Sequence, residues 1–390
     1  MDIYVNYLIN LLKSAILGTE PLKIPEGVEL SALFKMAKRH SVANILYNSL
    51  AKLDIADKKA LSSFEQEYAR ALYLEVKQQY YFEMVCAALE KNNIRYIPMK
   101  GIVIKPLYPS PDMRLSGDLD IFIDEENCVR VKQILEQLGF ETKVFNESVG
   151  HDEYIIDNAV VVEIHRKLVS NKCPWDEKCQ EITTRVCPEE PYQYRYKMSD
   201  EDYYLYMIAH MAKHMKYSGA GIKMVLDVWV FLRHYADKLD MDGLSECLKY
   251  CGLDKFDANV RALVDYWFND KEADELTKKL ADYIVQSGSF GTHKQLVALE
   301  MAQNAMGTEN RTISALNYYI KIFFMPYNQM KESYPVLKKL PVLLPFLWVY
   351  RAFKTIFFKK EKAEKIKNRY KDANMQYGKE LIEFKKQIGL

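Results

Sequence analysis

Residues 117–121 read Gly117-Asp118-Leu119-Asp120-Ile121. Side chains alternate along a strand, so Asp118 and Asp120 leave one face while Leu119 and Ile121 enter a core. Two carboxylates side by side repel unless a cation lies between them. Hard oxygen ligands suit Mg²⁺, which takes one or two carboxylates together with substrate phosphates. Gly117 lets the strand start sharply and leaves space for a ligand. Such a pair is common on solvated strands, and its weight comes from two neighbours. Lys100-Gly101 follows a short β-rich run, Ile94–Met99, and opens a helix. A helix N-terminus presents free N–H groups suited to phosphate, with Lys100 as a point charge beside it and Arg114 just upstream of the acid pair. The second neighbour is Glu163, the single acid in the apolar run Val160–Ile164, with Val161 and His165 on its face. An ionised carboxylate there is costly unless paired or bound to metal. Glu163 is thus a third metal ligand, or the base that deprotonates an attacking hydroxyl. The bland alternative is a pair with His165 or Arg166 at a sheet edge.

Taken in order, a helical N-terminus, Lys100-Gly101, Tyr108, Arg114, Gly117–Ile123 and Val162–His165 resemble the uncharacterised nucleotidyltransferase family of the polymerase-β-type superfold. The resemblance implies that Asp118, Asp120 and Glu163 hold two Mg²⁺ ions, or Mn²⁺. It implies transfer of a nucleoside monophosphate from a nucleoside triphosphate, such as ATP, to a hydroxyl-bearing acceptor, with release of pyrophosphate. Lys100, Gly101, Arg114 and Gly117 would then bind nucleotide. Two departures stand out. Lys100-Gly101 replaces the Gly-Ser turn usual in the superfold, and the third acid is Glu rather than Asp. Downstream, His210, His214, Lys223 and Leu226-Asp227 are similar to the family's helical C-terminal pattern, which implies that Lys223 reaches phosphates, an ordinary surface lysine being the alternative. His210 and His214 share a helix face. With no third ligand in sequence, packing or a hydrogen bond toward the nucleotide is preferred to zinc. Ala37–Val42 also resembles the family's first helices, so the likeness spans residues 1–330. A scaffold of this fold that binds nucleotide or protein without catalysis is the alternative.

The elements that must carry these residues give an α+β fold, a small mixed β-sheet nucleotidyltransferase core embedded between N-terminal and C-terminal helical regions. The divisions are 1–92, 93–196, 197–330 and a helical tail, 331–390. Helices are expected at Ser31–His40, Ser41–Leu53 and Ala56–Lys91, and another from Lys100 to the Pro109-Ser110-Pro111 breaker. Strands follow at Leu119–Ile123, Phe140–Phe145, Glu153–Ile156 and Val160–Ile164, with a helix over Glu125–Gln137 closed by Gly139. Ser199 and Asp202 cap a Tyr203–Lys216 helix. Gly219-Ala220-Gly221 separates it from Ile222–Tyr235, and further helices run to about residue 325.

The 390 residues carry a net charge of +1, which argues against a long nucleic-acid partner. Seven cysteines without a C-x-x-C pair read as reduced thiols of a cytoplasmic protein; Cys173, Cys179 and Cys187 cluster only loosely. Leu340–Tyr350 is apolar but about half the ~20 residues a bilayer span needs. It reads as a packed helix start, with membrane-surface contact through 340–360 as the alternative. Lys359–Leu390 reads as a solvated surface helix. P-loop, Rossmann and G-x-S-x-G patterns are all missing.

Overall fold

A computed structural model describes residues 2–146, 150–169 and 173–292. Beyond these it describes 295, 298–299, 324–325, 327, 330–331, 334–354 and 375–390. The chain divides into two compact units, 1–290 with 388–390, and 291–387.

The first unit opens with α1 (Ile3–Leu17), α2 (Leu30–Arg39), α3 (Ala43–Leu50) and α4 (Lys58–Lys91). Their ends follow local chemistry. The Asp2 carboxylate accepts from Tyr4 N–H and Asp57 from Ala60 N–H, while Gly18 closes α1 in the left-handed region. Leu8, Leu11, Leu33, Leu46 and Phe64 are fully enclosed, as the 3.6-residue spacing demands.

The sheet comprises β1 (Tyr96–Pro98), β2 (Asp118–Ile123), β3 (Glu141–Val144), β4 (His151–Ile156) and β5 (Val160–His165) in the order β1-β2-β5-β4-β3. β2 and β5 run parallel and the other pairs antiparallel, so the sheet is mixed. One face packs Leu119, Ile121, Val160, Val162 and Ile164 against Phe82, Val85 and Leu89 of α4. Val131 and Leu135 of α6 (Cys128–Gln137) join the same core. Burying each such side chain contributes roughly 1.5–3 kcal/mol. The opposite face of β2 and β5 carries the polar residues, and that asymmetry places the site.

Several boundaries differ from expectation, three of them beside the site. The segment from Gly101 is a four-residue helix, α5 (Gly101–Ile104), continued by a 3₁₀ turn at Lys105–Leu107. Pro106 and Pro109 leave too few backbone donors for a longer helix. β4 begins at His151 rather than Glu153. α8 (Asp200–Tyr217) begins directly after Ser199, whose hydroxyl accepts from Asp202 N–H; Asp202 therefore lies inside the helix.

Between sheet and α8 lie α7 (Asp176–Gln180) and the short strands β6 (Cys187–Pro188) and β7 (Tyr196–Lys197). α8 then packs on α9 (Ile222–Tyr235), followed by α10 (Met241–Cys251), α11 (Asp254–Phe268) and α12 (Glu275–Ser287).

In the second unit, Leu344–Phe353 is helical as expected. Val342, Phe346 and Val349 are nevertheless exposed rather than packed. The tail is a correction: helix Met375–Gln387 buries Leu381 and Phe384, an apolar pair at i,i+3 that the surrounding lysines obscure in sequence. The expected helical stretch over residues 300–323, and residues 355–374, lie outside the described residues. No described helix is long and apolar enough to cross a membrane.

Candidate active site

The parallel register sets Asp118 beside Val161, Asp120 beside Glu163 and Phe122 beside His165. Period-2 alternation then sends Asp118, Asp120, Glu163 and His165 to the face away from the core. Asp118, Asp120 and Glu163 each offer an oxygen, and the three lie within 4.8 Å of one another. They form the floor of a cavity of about 380 Å³. The same cavity is lined by Lys100, Gly101, Arg114, Gly117 and Lys223, so every site residue read from the sequence converges there.

Lys100 is delivered by an unusual backbone. Its φ of 48° is in a region that costs a non-glycine residue about 1–3 kcal/mol. Tyr203 donates to its carbonyl at 2.8 Å and fixes the turn. Lys100 Nζ donates to Asp120 Oδ1 at 2.5 Å and lies 3.7 Å from Glu163 Oε2. Asp120 is 1% exposed, and burial alone would favour its neutral form. The Lys100 ammonium and the His165 hydrogen bond at 2.8 Å overcome that and hold its carboxyl well below the usual range. Burial likewise works against the Glu163 carboxylate. His165 at 3.2 Å and Lys100 outweigh it and lower its pKa. Asp118 is the contrast. No hydrogen bond or ion pair engages its carboxylate among the described residues, and burial plus the Asp120 charge push it up to about 6.

Gly101 has no room for a side chain: a Cβ there would lie 2.0 Å from Ser116 Oγ. Arg114 meets the cavity differently from expectation. Its Nε and Nη2 donate to Asp227, at 3.1 Å and 2.8 Å to the nearer oxygens, and its Nη1 donates to Ser116 Oγ at 2.8 Å. Tyr108 donates to the same Asp227 at 2.7 Å. The guanidinium fork is therefore spent largely on the frame. Lys223 Nζ donates to Leu115 O at 3.2 Å. Burial and the Arg114 charge bring its ammonium down to about 8.

Sequence reasoning missed three contributors. His151 enters because β4 starts early; its Nε2 lies 3.5 Å from Glu163 Oε1. Tyr206 lines the cavity while its buried hydroxyl has no hydrogen-bond partner among the described residues. Ser116 Oγ fills the space a Gly101 side chain would take and accepts from Arg114. The Asp157-Asn158 turn, with both φ values positive, could have revealed His151, since it fixes the hairpin and sets His151 opposite His165. Tyr206 shares its helical stripe with His210 and His214, four and eight residues on. The imidazoles approach edge-on at 4.6 Å. Burial, then His214 and Lys100, lower the His210 pKa far below its ordinary value. Burial and Lys213 bring His214 to about 4.

Among the described residues two groups have the spacing to hold an ion, Asp118/Asp120/Glu163 and His151/Glu163/His165. Neither includes His210, His214 or a cysteine. The all-oxygen set, with one acid unpaired and two already drawing in an ammonium, fits a hard divalent ion.

A family profile described as uncharacterised nucleotidyltransferase matches residues 26–269. The chain belongs to that family. The matched stretch contains the whole sheet and all three acids of the nucleotidyltransferase floor. No curated protein and no solved structure gave a significant match.

Proposed function

We propose that this nucleotidyltransferase moves a nucleoside monophosphate from a nucleoside triphosphate to a hydroxyl-bearing acceptor, with pyrophosphate leaving. The convergence of Asp118, Asp120 and Glu163 on one cavity floor carries the reading. Those three residues would hold Mg²⁺ or Mn²⁺, which when bound neutralises phosphate oxygens and steadies the attacking and leaving groups. Lys100 supplies a cation beside the same oxygens, and its strained turn keeps it aimed there. Gly117 keeps the backbone open to phosphate, Gly101 lets the turn beside the phosphates pack against Ser116, and Lys223 regains its full charge against an anion. Arg114 acts through Asp227 and Ser116, holding the strand entry in place. Of the two roles open to Glu163, ligand is favoured over base. A carboxylate held below its ordinary range is a poor proton acceptor.

One observation favours a second reading. The Lys100 ammonium lies where a cation between Asp120 and Glu163 would lie. In a catalytically silent nucleotide-binding scaffold it would stay there. The test incubates wild type and Asp118→Asn/Asp120→Asn with α-labelled ATP, GTP, CTP and UTP, Mg²⁺ and cell extract as acceptor source. Label transfer by wild type, reduced at least about 10²–10³-fold in the variant, is expected. Mg²⁺-independent nucleotide binding without transfer, equal in both proteins, would establish the scaffold instead.

A further inference from the structure

Glu163 faces two histidines as well as two acids. His151 and His165 are paired across β4 and β5, with ring centroids 5.3 Å apart. His151 Nε2 lies 3.5 Å from Glu163 Oε1, and His165 Nε2 lies 3.2 Å from Oε2. Atoms that share one ion through bonds of ~2.1 Å lie roughly 3–4 Å from each other. These separations fall in that range, and all three side chains come from paired strands rather than loops. Both imidazoles turn the same nitrogen, Nε2, toward one carboxylate.

The chemistry of this set differs from that of the floor. Asp118, Asp120 and Glu163 offer oxygen only, which suits Mg²⁺. Two imidazole nitrogens with one carboxylate suit a first-row transition ion. Resting on the nucleotidyl-transfer reading, we propose that Glu163 is shared by two cation positions. One is the all-oxygen position; the other is a mixed position built by His151, Glu163 and His165 that takes a divalent transition ion. In the ion-free protein His165 Nε2 donates to the Asp120 and Glu163 carboxylates; in the mixed position the ring would take its other tautomer, with the proton on Nδ1 and the Nε2 electron pair turned to the ion. The second ion of this protein would then be chosen by nitrogen ligands, and Mg²⁺ alone would leave the mixed position weakly filled.

The test uses the full chain and Mn²⁺ as the probe, with free Mn²⁺ read by electron paramagnetic resonance and excess Mg²⁺ as competitor. Wild type is expected to retain one Mn²⁺ per chain that Mg²⁺ does not displace, beside one that it does. His151→Ala should lose the Mg²⁺-resistant ion, its affinity falling at least about 10-fold. Asp118→Asn should lose only the Mg²⁺-sensitive one. His151→Asn, a smaller change on a half-buried strand position, serves as the second variant, and circular dichroism checks both folds. Unchanged Mn²⁺ binding in a folded His151 variant overturns the mixed position while leaving the all-oxygen site and the transfer reading intact. Loss of all Mn²⁺ and Mg²⁺ binding from wild type overturns both.

Discussion

The floor and the helical wall of the cavity solve opposite electrostatic problems. On β2, β5 and the neighbouring β4 and Lys100 turn, three acids, a lysine and two histidines crowd together, and among the described residues Asp118 has no partner of its own. On α8 and α9, burial keeps His210 and His214 neutral, and the buried Asp227 charge is matched. Arg114 is paired with Asp227, which Tyr108 also caps. The floor keeps an unbalanced charge that a ligand can satisfy. The wall is a finished structure that holds the floor's partners at a fixed distance. Substitutions in the two regions should therefore move stability in opposite directions.

The largest effect is expected in the wall. Asp227→Ala leaves a buried guanidinium unpaired, which costs about 3–5 kcal/mol. For a unit of this size that lowers Tm by roughly 10 °C, read by thermal denaturation. A fall of less than about 2 °C would show that the pair adds little net stability and that the wall is no scaffold.

Next comes His40, which ties the N-terminal helices to the start of α9. Its Nδ1 accepts from Ile222 N–H at 3.3 Å and its Nε2 donates to Val285 O at 3.2 Å, so only the neutral ring satisfies both. Burial, then the neighbouring Arg39 charge, lower its pKa to about 4 from 6.5. Between those values the unfolded chain binds a proton that the folded one does not. The contribution is complete above pH 6.5 and is lost as pH falls toward 4, amounting to about 3 kcal/mol. Denaturant titrations from pH 8 to pH 4 should show His40→Gln well below wild type at the upper end and converging on it at the lower. A gap independent of pH would mean that the ring acts by packing alone.

Asp118→Asn should have the opposite sign. The folded pKa of about 6 exceeds the ordinary 3.8, so the folded state binds the extra proton between them. The ionised acid therefore costs stability above pH 6 and nothing below pH 4. Because the side chain is partly exposed, the cost is discounted to about 1–2 kcal/mol. Without added metal at pH 8 the Asn variant should melt higher than wild type, and at pH 4 the two should coincide. A lower Tm at pH 8 would contradict the picture of an unbalanced floor.

This contrast also separates what was legible in the sequence from what was not. Strand parity is local. Asp118 and Asp120 could be assigned to one face from spacing alone; Glu163 joins them through the family resemblance, and its pairing with Asp120 follows once β2 and β5 are neighbours. The wall depends on contacts between residues more than a hundred positions apart. Arg114 reads as a phosphate ligand until Asp227, 113 residues on, claims its fork. α5 fell short because prolines cut the donors that would extend it, and the tail's buried Leu381 and Phe384 are hidden by their lysine neighbours. His151 was within reach, but only through the hairpin turn and not through its own apolar pattern.

Tyr206 offers the finest test, because it lies in the wall yet behaves like the floor. It is 1% exposed and its hydroxyl has no partner among the described residues, although buried phenols nearly always find one. It lines the same cavity as Lys100, Asp118, Asp120 and Glu163. A hydroxyl unpaired in the free protein is explained if substrate supplies the partner. Tyr206→Phe removes no bond from the free protein, so Tm should hold or rise slightly. Loss of one neutral hydrogen bond to substrate lowers kcat/KM by roughly 3–10-fold, from about 0.5–1.5 kcal/mol. If the variant instead melts several degrees lower and turns over normally, the hydroxyl belongs to the wall's own packing, and the division between floor and wall falls between Tyr206 and Lys100.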